Sequence, residues 1–514
     1  MKKGLLAVLA LASVGLIDSI YLTYEHYSRI ILPCSTSIFF SDCGKVLQSS
    51  YSTVFGIPLA LFGIFYYCFL LISSLFILAT NNRKGIYTLI ILTTIGFVTS
   101  LYLVFLQIFI IKAICLYCMV SALISTSLFI IVQIVFSRER KMLALLKMAL
   151  IYRYVIKKIL FKIDPETVHN HTVALGEMMG KNNVVKNLLS KVCTEKNESL
   201  EQTIKGIIFT NPVGLAAGFD YEGRLTQILP SVGFGFQSIG TITNMPYKGN
   251  PSPMLGRLPK SQSLMVNKGF KNLGAATMVS SLSNLDFKIP VGISIGRTNT
   301  VALKTQKQSI EDIIQAFTAF EKSKVAHSYY ELNISCPNLY GDITFYPPKN
   351  VSELLTEIDK LHLKKPVFIK MPIEKSDRET LGMLKVIADH SPAGVIFGNL
   401  QKDRKNPFLD QKEVRQFRVG YFSGKPTFTR SNELIKLAYR HYKKRFTIIG
   451  CGGIFSGKDA YTKITLGASL VQLITGMIFQ GPQLIAQINI GLIDLLKKDG
   501  FTHISQAIGI RNKS

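Results

Sequence analysis

At 514 residues the chain is too long for one hydrophobic core, and a mean hydropathy of +0.28 with 18% charged residues excludes a wholly soluble protein. The formal net charge of +27 raises nucleic-acid binding, but no zinc-ligand spacing, aromatic RNA-binding signature or basic recognition helix accompanies it. The charge reads instead as solubility and attraction to an anionic membrane face.

In chain order, apolar stretches run from Leu5 to Tyr24, Val54 to Ala79, Tyr87 to Ile111 and Ile114 to Phe136. Each is long enough for a helix to cross about 30 Å of hydrocarbon, so four spans are expected. Lys2 and Lys3 ahead of the first would also suit a signal peptide, but its length and the lack of a small-residue cleavage site favour an uncleaved helix. Lys2 and Lys3, Arg83 and Lys84, and Arg138, Arg140 and Lys141 mark one side, which puts both termini in the cytoplasm and the loop from Glu25 to Thr53 outside.

In that orientation Cys34 and Cys43 lie in the outer loop, and Cys115 and Cys118 open the fourth span at the same face, where disulfides persist. Cys115-Leu116-Tyr117-Cys118 is a C-x-x-C pair at a helix start, where the helix dipole favours the thiolate needed for exchange. A structural disulfide or a metal pair is the plainer alternative. The only histidine nearby is His26, which argues against metal. Cys68, inside the second span, reads as a small buried residue.

Cys34, the run from Cys43 to Ser49, Phe55-Gly56-Ile57-Pro58 and the Cys115–Cys118 pair resemble the bacterial vitamin K epoxide reductase family over residues 1–137. The resemblance implies a four-helix transmembrane bundle in which Cys118 acts on a bound quinone, Cys115 exchanges with Cys43, and Cys34 takes electrons from a partner. Ser49 matches a loop serine near the quinone. The thioredoxin-like domain often fused to such proteins does not follow, so the resemblance implies a separate periplasmic thioredoxin-like thiol oxidase as partner.

From Lys141 to Phe161 leucine and isoleucine are mixed with lysine and arginine, as in a helix lying on a membrane surface, with a plain linker helix as the alternative, before Asp164-Pro165-Glu166 starts another helix. Residues 138–200 are therefore an amphipathic linker and helical segment, and 201–514 a separate domain. There, Val213 to Gly218, Phe236 to Thr243, Val291 to Gly296, Tyr330 to Ser335, Val367 to Met371, Gly394 to Asn399, Thr447 to Gly452 and Leu470 to Thr475 are short, apolar and mostly β-branched. Eight such runs with helical stretches between them predict a closed (β/α)8 barrel, and no G-x-G-x-x-G follows the first to suggest a doubly wound sheet.

In a barrel the chemistry sits at the C-terminal strand ends. Ser423-Gly424, Gly452-Gly453 and Thr475-Gly476 fall there, where backbone N–H groups would wrap a phosphate, although ordinary tight turns explain any one of them. Lys370 adds a cation at the fifth strand end. Asn333-Ile334-Ser335-Cys336-Pro337-Asn338 ends the fourth strand with two amide side chains, suited to a planar amide-like substrate, around a thiol able to take a proton. Cys193 and Cys451 lack such company and read as structural.

Ile151-Tyr152-Arg153, Asp164 to His169, Gly214 to Asp220, Gly249 to Pro253, Arg257-Leu258-Pro259, Asn333 to Asn338, Ser423 to Pro426 and Ile449 to Gly453 together resemble the membrane-bound, quinone-linked dihydroorotate dehydrogenases. The resemblance implies a TIM barrel behind a small helical quinone gate, FMN as cofactor and a quinone as electron acceptor. FMN would contact Ala216, Ala217, Gly218, Thr241, Ser294, Asn333, Lys370, Ser423, Gly424, Gly452, Gly453 and Thr475. Asn267, Asn333, Asn338 and Asn399 would hold the pyrimidine, Cys336 would be the base, and His169 and Arg257 would face the quinone.

The sequence departs from that pattern at several places. The base is cysteine rather than serine, and Tyr221 replaces the lysine that helps hold the orotate carboxylate. Asn267 is displaced relative to Gly269-Phe270, Leu400 replaces a threonine and Ser294 an asparagine. Lys268 or Arg224 would have to supply the missing charge, and without either the carboxylate loses a contact worth about 1.5–3 kcal/mol. The expectation is a multi-pass protein of the bacterial inner membrane, its thiol half working outside and its flavin half in the cytoplasm. A flavoenzyme acting on another unsaturated substrate and a non-catalytic membrane scaffold are the alternatives.

Overall fold

The computed structural model describes residues 2–28, 43–80, 82–341 and 343–512. The chain divides into two compact units, Met1–Leu146 and Lys147–Ser514.

The first unit is built from helices α1 (Lys2–Ser28), α2 (Leu59–Thr80), α3 (Arg83–Phe105) and α4 (Leu116–Val135), with α3 running on as a π-helical turn, Leu106–Ile111. Counting that turn, four helices among the described residues are long and apolar enough to cross a membrane. Their outward faces are apolar: Ile17, Phe65, Ile72, Leu123 and Ile134 point outward, as lipid-facing residues do. Small residues set the helix–helix contacts, because apolar packing in lipid needs close backbone approach. A Cβ at Gly15 would meet the Tyr67 ring at 2.4 Å, and one at Gly96 the Tyr66 hydroxyl at 2.2 Å. After the π-turn the chain reverses at Lys112 (φ 52°), and the Cys115 N–H donates to the Gln107 side chain at 3.0 Å, fixing the start of α4.

A helix Ser137–Ile151 (α5), a π-turn Tyr152–Ile156 and a further turn Lys157–Leu160 lead into α6 (Pro165–Lys181) and α7 (Asn183–Cys193). Asp164 caps α6 by accepting the Thr167 N–H at 2.8 Å, and Asn182 caps α7 by accepting from Val184 and Val185. Leu175, Met178, Val184 and Leu188 on these two helices are exposed.

The barrel strands are β1 (Val213–Leu215), β2 (Phe236–Ile242), β3 (Val291–Ile295), β4 (Tyr329–Asn333), β5 (Val367–Met371), β6 (Gly394–Phe397), β7 (Thr447–Cys451) and β8 (Leu470–Leu473). They close in sequence order, β8 pairing β1 with Val471 opposite Val213. Each predicted strand is present. Alternation sorts the side chains: Tyr330 and Leu332 of β4 pack outward on the surrounding helices, and Tyr329 packs inward with Phe236, Phe368, Ile396, Ile449 and Leu470. Above that apolar plug lies a polar layer in which Gln472 donates to Glu331 at 2.7 Å and to Ser238 at 3.0 Å. A three-stranded antiparallel sheet, Leu255–Leu258, Ser263–Val266 and Tyr421–Phe422, completes this unit's strand-end face.

The outer apolar layer carries much of the unit's stability. Ile293 on β3 is fully buried, so Ile293→Ala is expected to cost about 2–5 kcal/mol and lower the unit's melting temperature by several degrees. Ile208→Ala, at a site 57% exposed, is the reference, and equal shifts for the two in thermal melts would contradict this layer's role.

Candidate functional site

At the strand-end face a cavity of about 160 Å³ opens among residues from six strand ends. Ala217 and Gly218 follow β1, Thr241 lies in β2, Asn333 ends β4 with Cys336 and Asn338 just beyond, Lys370 lies in β5, Asn399 follows β6 and Thr475 follows β8. Ser423 comes from the antiparallel sheet's edge, and His169 from α6. These sequence-predicted residues therefore share one space.

The polar groups are pre-set by short bonds. The Asn333 amide donates to Thr241 Oγ1 at 2.8 Å and accepts from the Ser335 hydroxyl at 2.9 Å. Asn399 also donates to that hydroxyl. Asn338 donates to the Val266 carbonyl at 3.0 Å, and the Ser423 and Thr475 hydroxyls meet at 2.8 Å. Lys370 is paired in register with Asn333, is 5% exposed, and has no ion pair or hydrogen bond among the described residues.

Other predicted residues stay outside the cavity. Ser294 lies behind Thr241, their hydroxyls 3.0 Å apart, and the Ala216 N–H bonds the Leu473 carbonyl at 3.3 Å across the barrel seam. Gly452 and Gly453 have positive φ, and a Cβ on either would meet Thr427 or Phe428 at 2.4 Å, so their immediate role is close approach of the β7 end to that segment. Gly424 is similar, with the Gln262 carbonyl 2.4 Å from its Cβ position. Arg257 donates to the Ile163 carbonyl at 2.6 Å and lies over the Phe161 ring.

Asn267, expected to hold substrate, does not reach the cavity. Leu264 and Val266 of the strand line it, and beyond the strand's end so do Lys268, Gly269, Phe270 and Lys271, whereas the Asn267 side-chain carbonyl accepts from Asn250 at 3.1 Å. Gly269 and Phe270 both have positive φ, so a turn rather than a strand period brings Phe270 in, and nothing in the residue order marked it as a site residue. Arg224 is held by Glu177 at 2.6 Å and does not line the cavity. Lys268 does, 2.8 Å from Glu166 and 4.6 Å above the Tyr221 ring, and Glu166 also pairs Lys271 at 3.0 Å.

Burial sets the protonation states. It pushes the Cys336 thiol up to about 11, against the pull of the Asn338 backbone N–H and the charges of Lys370, Lys402 and Arg297. His169, packed on Phe219 and Tyr221, is brought down to about 3 by burial and by Lys268, and is neutral. Lys268 is lowered to about 8 by burial, with Glu166 holding it up.

The first unit holds a second cavity, of about 360 Å³, lined by Ser49, Tyr66, Tyr67, Cys118, Ser121 and Ser125 among mostly apolar side chains. Cys115 and Cys118 are free thiols. Cys43 is disulfide-bonded and packs in one cluster with Cys115 and, at its edge, Cys118. Cys34 lies outside the described residues. Among those described, no three His, Cys, Asp or Glu side chains are grouped to hold a metal.

Comparison with known proteins agrees with both units. The dihydroorotate dehydrogenase family model matches residues 199–496, and the vitamin K epoxide reductase family model matches residues 6–133. A dihydroorotate dehydrogenase (quinone) from Nostoc sp. is 35% identical over 380 residues, covering 71% of this chain and 100% of the relative. One from Nitratiruptor sp. is 34% identical, covering 69% and 98%. A crystal structure of the Eimeria tenella DHODH in complex with ferulenol superposes with a TM-score of 0.59 at 25% identity, covering 68% of this chain and 96% of that one. The chain belongs to the dihydroorotate dehydrogenase family, as an oxidoreductase whose relatives are of the quinone type, and carries a vitamin K epoxide reductase family domain ahead of its barrel.

Proposed function

We propose that the barrel oxidises dihydroorotate to orotate with FMN as cofactor and a membrane quinone as final acceptor, a step of pyrimidine synthesis. The observation that carries this reading is the convergence of Asn333, Asn338, Asn399, Cys336 and a buried, unpaired Lys370 on one cavity.

The residues fit a flavin. Lys370 offers an uncompensated cation to an electron-rich ring edge, Asn333 and Thr241 present oriented amide and hydroxyl groups, and Gly218 (φ 111°) leaves the wall without a side chain. FMN, when bound, supplies the acceptor for the hydride leaving C6 of the substrate. The asparagines orient the pyrimidine amides, and Cys336 takes the C5 proton. Because burial holds its thiol at about 11, Cys336 rests protonated near neutrality. The reactive thiolate grows about tenfold per pH unit below that value. His169, neutral beside Tyr221, faces the quinone.

Flavin reduction by dihydroorotate, followed by stopped-flow absorbance, should therefore speed up with pH at near-unit slope between about pH 6 and 9. Cys336→Ala should slow it by about 10²–10⁴-fold while flavin stays bound, and a flat profile or a wild-type rate in that variant would remove Cys336 as base. A second reading, another unsaturated substrate, draws on Tyr221 standing in the lysine position and on Lys268 being engaged by Glu166. Bleaching of the yellow cofactor by dihydroorotate decides between them, since persistent colour at millimolar dihydroorotate favours the second.

For the first unit we infer quinone-dependent thiol oxidation. Cys43 exchanges with Cys115, and the Cys115–Cys118 pair discharges to a quinone in the cavity that Cys118 and Ser49 line. The unit lies in the bacterial inner membrane with its cysteine loop periplasmic, is served by a thioredoxin-like partner there, and leaves the barrel in the cytoplasm. Cys118→Ser should reduce dithiothreitol-driven quinone reduction to background, and turnover persisting in that variant would move the quinone chemistry elsewhere.

A further inference from the structure

An acidic side chain within a membrane-crossing helix is costly and faces the bundle interior or a cavity. Asp18 and Glu25, both on α1, are the only acidic residues within the four candidate spans. They stand two helical turns apart with Tyr21 between them on the same face. That face meets the start of α4: the Tyr21 and Tyr117 rings are 5.0 Å apart, and the Tyr21 hydroxyl is in hydrogen-bonding reach of Glu25 and Tyr117.

Asp18, one turn before Tyr21, comes within reach of the Ser121 side chain, one turn beyond Tyr117, and both Ser121 and Cys118 line the cavity of this unit. Glu25 stands one turn beyond Tyr21, toward the start of α4, where Cys115 is the N-cap. Asp18 Oδ2 and Glu25 Oε1 are buried with no hydrogen-bond partner among the described residues, and Glu25 is only 6% exposed. Tyr67 supports the Ser121 end, its hydroxyl lying 3.4 Å from Ser121 Oγ and from Ser125 Oγ. A half-buried and a buried carboxylate, each with a free oxygen, near two free thiols are placed to move protons rather than to hold the bundle together.

We propose that Asp18, acting through the Ser121 hydroxyl, carries a proton between Cys118 and the quinone, and that Glu25 serves Cys115 from the C-terminal end of α1. The inference rests on reading this unit as a thiol–quinone oxidoreductase. As the dithiol is oxidised, two S–H bonds break, one S–S bond forms, and the quinone gains two electrons and two protons to become the hydroquinone. The Cys118 proton leaves Sγ for Asp18 and ends on one quinone oxygen. The Cys115 proton leaves by Glu25 to water, and an equivalent proton from water reaches the other oxygen.

The test uses the full chain in detergent, dithiothreitol as electron donor and a short-tailed soluble ubiquinone as acceptor. Asp18→Asn should slow quinone reduction by about 10²–10⁴-fold, raise the solvent deuterium isotope effect and leave the native free-thiol count unchanged. Asp18→Glu should recover a substantial part of the rate. A rate for Asp18→Asn within about threefold of wild type overturns the relay. Should that variant fail to fold, Ser121→Ala decides: a loss of about tenfold or more supports the relay and an unchanged rate overturns it. A wild-type chain that reduces no quinone sinks the reading of the unit and the relay with it, whereas an active wild type with unaffected variants sinks the relay alone.

Discussion

The site in the barrel depends on one buried, uncompensated charge. Lys370 is held in β5 by the ladder that sets it opposite Asn333, is 5% exposed, and has no counter-ion among the described residues. Its side chain opens into the strand-end cavity, and the closed barrel with its apolar plug of Phe236, Tyr329 and Phe368 fixes the strand that presents it there. The surrounding groups follow from it. Amides and hydroxyls bond to one another at 2.8–2.9 Å, and burial raises the nearby thiol, with Lys370 offsetting part of that rise.

The same desolvation argument governs the first unit in a different solvent. Its helices meet lipid with apolar outward faces, so the polar groups they carry are forced inward onto a few faces. Glycines at 15 and 96 allow tyrosines 67 and 66 to pack where a methyl group would collide. The result is a narrow polar seam beside an otherwise apolar cavity, with the free thiols at its edge. In both units chemistry is concentrated by making the rest of the surroundings hostile to charge.

Much of this was legible in the residue order. Buried parallel strands are unbroken β-branched runs, so all eight barrel strands stand where those runs do, mostly one or two residues shorter at the C-terminal end. Motifs at strand ends identified the cavity because closure brings those ends together. Hydropathy was less exact about span limits. The second span was expected from Val54, but α2 starts at Leu59, because Thr53–Val54 and Ile57–Pro58 pair across a turn at Phe55 (φ 53°) and Gly56 (φ 78°). Apolarity is counted without regard to backbone geometry. What the sequence could not convey were long-range partnerships. That Glu177 would occupy Arg224 and Glu166 would occupy Lys268, or that Gly452 and Gly453 would be needed against Thr427 and Phe428, depends on segments far apart in the chain. Asn267 and Lys268, just past the strand end at Val266, show how the local path of the backbone decides which of two neighbouring side chains enters a site.

Glu166 gives the barrel a resident anion of its own. Reaching from α6 to clasp Lys268 and Lys271, it spares two partly desolvated ammonium groups from standing bare when nothing is bound. Were a carboxylate to engage Lys268, it would have to displace Glu166, so its binding would be an exchange of one anion for another and would loosen the tie that Glu166 makes from its helix.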